Sequence, residues 1–91
     1  YSGESMFDII YSTAENFENK ELKNLVTTIL SENKEALTVC PAAFKLHHAI
    51  RGGLMYHTLS VMRLAEKVSD IYPSVDRELL LSGVILHDVC L

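Results

Sequence analysis

All four histidines of the chain fall in two short segments, His47-His48-Ala49-Ile50-Arg51-Gly52-Gly53-Leu54-Met55-Tyr56-His57 and His87-Asp88. Imidazole and carboxylate are ordinary ligands for a divalent metal ion, and a His followed at a distance by a His-Asp pair is a recognisable way to hold one. His57, His87 and Asp88 are therefore the candidate metal ligands and catalytic residues. A mixed nitrogen and oxygen donor set suits Mn²⁺, Fe²⁺, Ni²⁺, Zn²⁺ or Mg²⁺, so the ligand types do not choose the ion. Lys45, His47, His48 and Arg51 form the one compact basic cluster. Arg offers a fork of donors to phosphate oxygens, and Gly52-Gly53 lets the backbone come close, so these four residues are the candidates for binding a substrate phosphate. Each group has a bland alternative. The basic cluster also reads as a solvated loop, and His57 and His87 as partly buried histidines satisfied by each other or by backbone.

The elements that must position these residues are helices. No alternating run rich in Val, Ile and Thr supports a strand, whereas apolar residues recur at helical spacing along the chain. Met6, Phe7, Ile10, Ala14 and Phe17 predict a first helix over about residues 5–17. Asn19 offers a cap to a second helix with Leu22, Leu25, Val26, Ile29 and Leu30 as its stripe. Ser31-Glu32-Asn33-Lys34 predicts the start of a short third helix through Leu37, closed off by Pro41. Residues 42–53 are irregular and end in the glycine pair. A fourth helix is predicted from Leu54 to about Asp70, with His57, Val61, Leu64, Ala65 and Val68 on its core face. Tyr72-Pro73-Ser74 breaks it, and Asp76 caps a fifth helix carrying Leu79, Leu80, Val84 and His87 inward. So short a turn makes the last two helices antiparallel. At the helical rise, His57 lies about 20 Å from the turn and His87 about 16 Å, so both histidines should meet near one end of the pair, with Asp88 about 100° round from His87.

Composition narrows the function classes. At 91 residues and 48% hydrophobic, the chain suits a single small domain, with helices in 1–40 and the motif-bearing segment in 41–91. There is no apolar run of roughly 20 residues and no signal-peptide pattern, which predicts a cytoplasmic protein with no membrane partner. Cys40 and Cys90 are too few and too far apart for a disulfide framework, so both are expected reduced, with Cys40 a small core residue. The net charge of −4 is concentrated: residues 1–35 hold seven acids and three bases, and residues 36–91 hold five of each. Broad nucleic-acid binding by counterion release needs clustered cations and is disfavoured, but one phosphate held locally is not.

The stretch Phe44-Lys45-Leu46-His47-His48-Ala49-Ile50-Arg51-Gly52-Gly53-Leu54-Met55-Tyr56-His57-Thr58-Leu59-Ser60, followed by Gly83-Val84-Ile85-Leu86-His87-Asp88, resembles the HD-domain metal-dependent phosphohydrolases. Among them it most resembles the YhaM-type 3′-to-5′ exoribonucleases. The match covers about half the chain, from Pro41 to Asp88. It implies an all-α, HD-domain-like helical bundle, with His57 as first metal ligand and His87-Asp88 as the dyad that names the superfamily. A further Asp, distant in sequence, completes the family's site. The dyad continues there into Gly and Lys, whereas here it continues Val89-Cys90-Leu91. With three ligands of at least four, the chain reads as the N-terminal portion of such a domain, expected to be inactive alone.

For the intact protein the resemblance implies metal-dependent hydrolysis of phosphodiester bonds at RNA 3′ ends. Two alternatives stay open: an HD phosphohydrolase acting on mononucleotides or cyclic dinucleotides, and a catalytically inactive helical interaction module. Self-association into a homo-oligomer through exposed apolar surface is compatible with each.

Overall fold

The computed structural model describes residues 2–39, 53–87 and 89. The readings of Cys40, Pro41, Lys45, His47, His48, Arg51, Gly52, Asp88 and Cys90 fall outside them. Among the described residues the chain is all-α, with α1 Gly3–Glu15, α2 Lys20–Glu32, α3 Lys34–Val39, α4 Gly53–Ile71 and α5 Arg77–Leu86. No strand occurs in them, and none of their helices is long and apolar enough to cross a membrane.

Short polar side chains set the helix starts by accepting backbone N–H groups that have no partner inside the helix. Ser2 Oγ accepts from the Ser5 N–H, Asn19 Oδ1 from the Leu22 N–H and Asp76 Oδ1 from the Leu79 N–H. The caps expected at Asn19 and Asp76 are present, whereas α1 begins two residues before its predicted start, at the Ser2 cap. The second and third helices are divided at Asn33, which caps α2 with its own N–H and closes the turn with an Nδ2 bond to the Ile29 carbonyl. Ser31 and Glu32 thus belong to α2, not to the helix after it.

The core is built from Met6, Phe7, Ile10 and Ala14 of α1, with Phe17 beyond its end, Val26 and Leu30 of α2, and Leu37 of α3. Leu54, Met55, Leu59, Met62 and Ala65 of α4 and Leu81 and Ile85 of α5 complete it. α4 packs against α1, α3 and α5, while α2 packs against α1 and α5. Leu25, expected in the stripe of α2, is half exposed instead.

The largest departure concerns which faces of α4 and α5 are buried. Of the predicted core face of α4 only Ala65 is buried; Val61 and His57 are half-buried, Leu64 is 65% exposed and Val68 37%. On α5 the buried residues are Leu81, Ser82 and Ile85, while Leu79 is exposed and Leu80 and Val84 are half-buried. The reason is that both helices are apolar on two faces. In Arg77-Glu78-Leu79-Leu80-Leu81-Ser82-Gly83-Val84-Ile85-Leu86 nearly every direction carries an aliphatic side chain, and periodicity alone does not choose the side that meets the core.

Three contacts fix how the helices meet, one of them joining α5 to the α1–α2 turn. A Cβ at Gly3 would lie 2.0 Å from the backbone oxygen of Thr38, so only glycine lets the start of α1 approach the end of α3. The Glu78 carboxylate, in the first turn of α5, accepts from the Glu18 N–H at 2.7 Å and the Asn19 N–H at 2.8 Å. It thereby clasps the α1–α2 turn. An exposed ion pair, Arg77 to Glu66 at 2.7 Å, links α5 to α4 across the turn between them.

Three substitutions rank these contacts. Gly3→Ala forces backbone apart and should destabilise by about 1–3 kcal/mol. Glu78→Ala removes two charge-assisted hydrogen bonds and should cost about 1–2 kcal/mol. Arg77→Ala breaks only a solvent-screened pair and should cost under about 1 kcal/mol. Urea unfolding of the three variants checks the order, and an Arg77→Ala loss equal to that of Glu78→Ala would show that the clasp is no stronger than the surface pair.

Candidate metal centre

His57 lies in the second turn of α4, half-buried, and His87 is the C-cap of α5, exposed. Because the helices run antiparallel through residues 72–76, the two positions fall at the same end of the pair, as the rise per residue requires. The rings come together with centroids 5.9 Å apart and planes tilted by 55°. His87 does not point into the core as expected. It sits at the rim, where the stripe of α4 that carries His57 meets α5.

The pair can be tested against what an ion needs. An imidazole nitrogen lies about 2.0–2.1 Å from a zinc-type ion, so two rings sharing one at a tetrahedral angle have centres roughly 5.2 Å apart. The separation of 5.9 Å is within about 1 Å of that. The hydrogen bonding of His87 fits as well. Its Nδ1 contacts the Val84 carbonyl oxygen one turn back, and since a carbonyl only accepts, Nδ1 carries the hydrogen, which in the neutral ring puts the lone pair on Nε2. Metal-ligating histidines are characteristically oriented this way, one ring nitrogen donating to a carbonyl so that the other can ligate. The role of the Val84 carbonyl was not anticipated, although a histidine at a helix C-terminus, where carbonyls lack helical partners, is a signal for it.

Among the described residues no group of three or more His, Cys, Asp or Glu side chains forms a metal cluster. The third expected ligand, Asp88, and the expected phosphate-binding residues Lys45, His47, His48 and Arg51 lie outside those residues, so the structure brings together two of the seven sequence candidates. Beside the pair, Val61 of α4 and Leu79, Leu80, Gly83 and Val84 of α5 line an apolar groove that ends at His87.

No protein-family model matches the chain, and no solved structure matches it. It is similar to curated proteins named 3′-5′ exoribonuclease YhaM. The protein of that name from Listeria monocytogenes is 40% identical over 86 residues, covering 94% of this chain and 28% of the relative. The Bacillus subtilis protein is 37% identical over 84 residues, 92% of this chain and 27% of the relative. The Bacillus pumilus protein is 38% identical, with the same coverage. The chain thus spans a little over a quarter of the length of these relatives, and over that span it is homologous with them.

The orientation of His87 makes a direct prediction. Long-range ¹H–¹⁵N correlation spectra at a pH where the imidazole is neutral should show His87 mainly as the Nδ1–H tautomer, the minority form of unconstrained histidine. A dominant Nε2–H signal would overturn the assignment of the Val84 contact as the orienting bond.

Proposed function

We propose that this segment contributes the metal-binding half of a phosphodiesterase site of the HD type, and that the whole protein shortens RNA from its 3′ end. The observation that carries the reading is the approach of His57 and His87, 30 residues apart in sequence, with His87 turned by a backbone carbonyl. Asp88, next in sequence, supplies the carboxylate that completes the His-plus-His-Asp donor set. The names of the relatives support RNA as the substrate and exonucleolytic hydrolysis as the reaction.

A divalent ion bound there supplies Lewis-acid chemistry, activating water near neutral pH and offsetting charge on phosphoryl oxygens. The chain's own residues do the positioning. His57 is held by a helix whose adjoining residues Leu54, Met55, Thr58 and Leu59 are buried, so its backbone cannot drift from the core. His87 is aligned by Val84, and its place at the helix end sets it on the rim, where a chain end can reach it. The basic residues Lys45, His47, His48 and Arg51 precede α4 in sequence and are the proposed phosphate contacts, with the Arg51 fork the strongest of them.

Two measurements test this. In the 91-residue chain, titration with Mn²⁺ or Zn²⁺ should show one site weakened at least about tenfold by His57→Ala and by His87→Ala, since each removes a ligand. In a full-length protein carrying the segment, 5′-labelled RNA should be shortened from its 3′ end in Mn²⁺, and either substitution should abolish it. Retained turnover in His57→Ala would remove this histidine from the site.

A further inference from the structure

The exposed apolar surface of this chain is unevenly placed. Nine large hydrophobic residues are exposed among the described ones, and seven of them, Tyr56, Leu64, Val68, Ile71, Tyr72, Val75 and Leu79, lie on α4, α5 or the turn between them. On α4, Val61, Leu64, Val68 and Ile71 follow each other at intervals of three, four and three residues, which places them in a single stripe along the helix. That stripe is separate from the one buried through Met55, Thr58, Met62, Ala65 and Ser69. It continues onto α5 through Leu79, Leu80, Gly83 and Val84 as the apolar groove beside α4. At its centre Gly83 presents open space, with nothing within 4 Å of where a Cβ would stand. A 19-residue helix with two apolar faces needs a partner for each, and among the described residues only one is met.

We infer that the outer face of the α4–α5 hairpin is a self-association surface on which a second copy of the chain packs, hairpin against hairpin. Area, charge and symmetry argue for that occupant. With Leu64, Ile71, Tyr72 and Leu79 each 59–69% exposed and Val68 and Val75 36–37%, these six present on the order of 600 Å², and the half-buried Val61, Leu80 and Val84 bring the face close to the ~800 Å² per partner of a specific interface. Charge permits the approach. Residues 53–87 hold four acids and three bases, whereas residues 2–39 hold seven acids and three bases, so the strongly acidic surface belongs to α1–α3 and not to the hairpin. A two-fold axis through a helical hairpin yields a four-helix arrangement in which one apolar face covers its own copy. The Gly83 notch admits a helix at close range. The inference does not rest on the metal site or on the reading of RNA as substrate.

Sedimentation equilibrium of the chain in chelator, over about two decades of concentration in the micromolar range, tests it. The expected mass moves from 10.2 kDa toward twice that value. Leu64→Glu and Leu79→Glu, at positions exposed in the single chain, should each weaken dimerisation at least tenfold while leaving the helical circular-dichroism spectrum and the thermal midpoint of the dilute protein unchanged. Leu25→Glu, an exposed apolar position on α2 away from the hairpin, should leave dimerisation as it was. A 10.2 kDa species at every concentration, open-ended aggregation without a dimer, or a Leu64→Glu, Leu79→Glu double variant that dimerises like the parent would each overturn the proposal.

Discussion

The antiparallel pairing of α4 and α5 is the constraint from which the candidate site follows. Only five residues separate the two helices, so neither can slide or turn over without unpacking the other. The pairing is held by burial: Met62 is 1% exposed, Leu81 0% and Ile85 2%, and fully burying such a side chain stabilises by about 1.5–3 kcal/mol. Measured against that, the exposed Arg77–Glu66 ion pair across the turn contributes little. Because His57 and His87 lie nearly equidistant from the turn, the register of the hairpin is also the geometry of the histidine pair. The site is a property of helix length as much as of ligand type.

Much of this was legible from residue order. Asn19 and Asp76 announce helix starts because a short side-chain acceptor beside an apolar run has one favourable use. The meeting of His57 and His87 follows from rise per residue and needs no knowledge of packing. The faces were another matter. Val61, Leu64 and Val68 satisfy the helical period as well as Met55, Met62 and Ala65 do, and the choice between them is made by α1, whose Met6, Phe7 and Ile10 are distant in sequence. Periodicity reports that a face is apolar and is silent on which neighbour covers it. The Glu78 clasp was illegible for a related reason. A glutamate in a first helical turn is ordinary, and its partners are two backbone N–H groups that any residue would offer.

Two apolar faces on one helix also explain why the rim histidine and the exposed stripe are neighbours. The groove that ends at His87 is the seam between α4 and α5 seen from outside, and its aliphatic walls flank the His87 ring.

The Glu78 clasp has a consequence for the order in which the chain folds. It closes a loop of 60 residues, whereas the Arg77 to Glu66 contact closes one of 11. Chain entropy opposes the longer closure by about 1.5 kcal/mol more than the shorter. Loop entropy alone therefore favours closing the α4–α5 hairpin before the clasp, whose acceptor needs the α1–α2 turn already shaped to present its N–H groups. Glu78 thereby adds one long-range tie to the core that α4 and α5 already share with α1, α2 and α3, so a change in the α1–α2 turn would be felt first at the N-terminal end of α5.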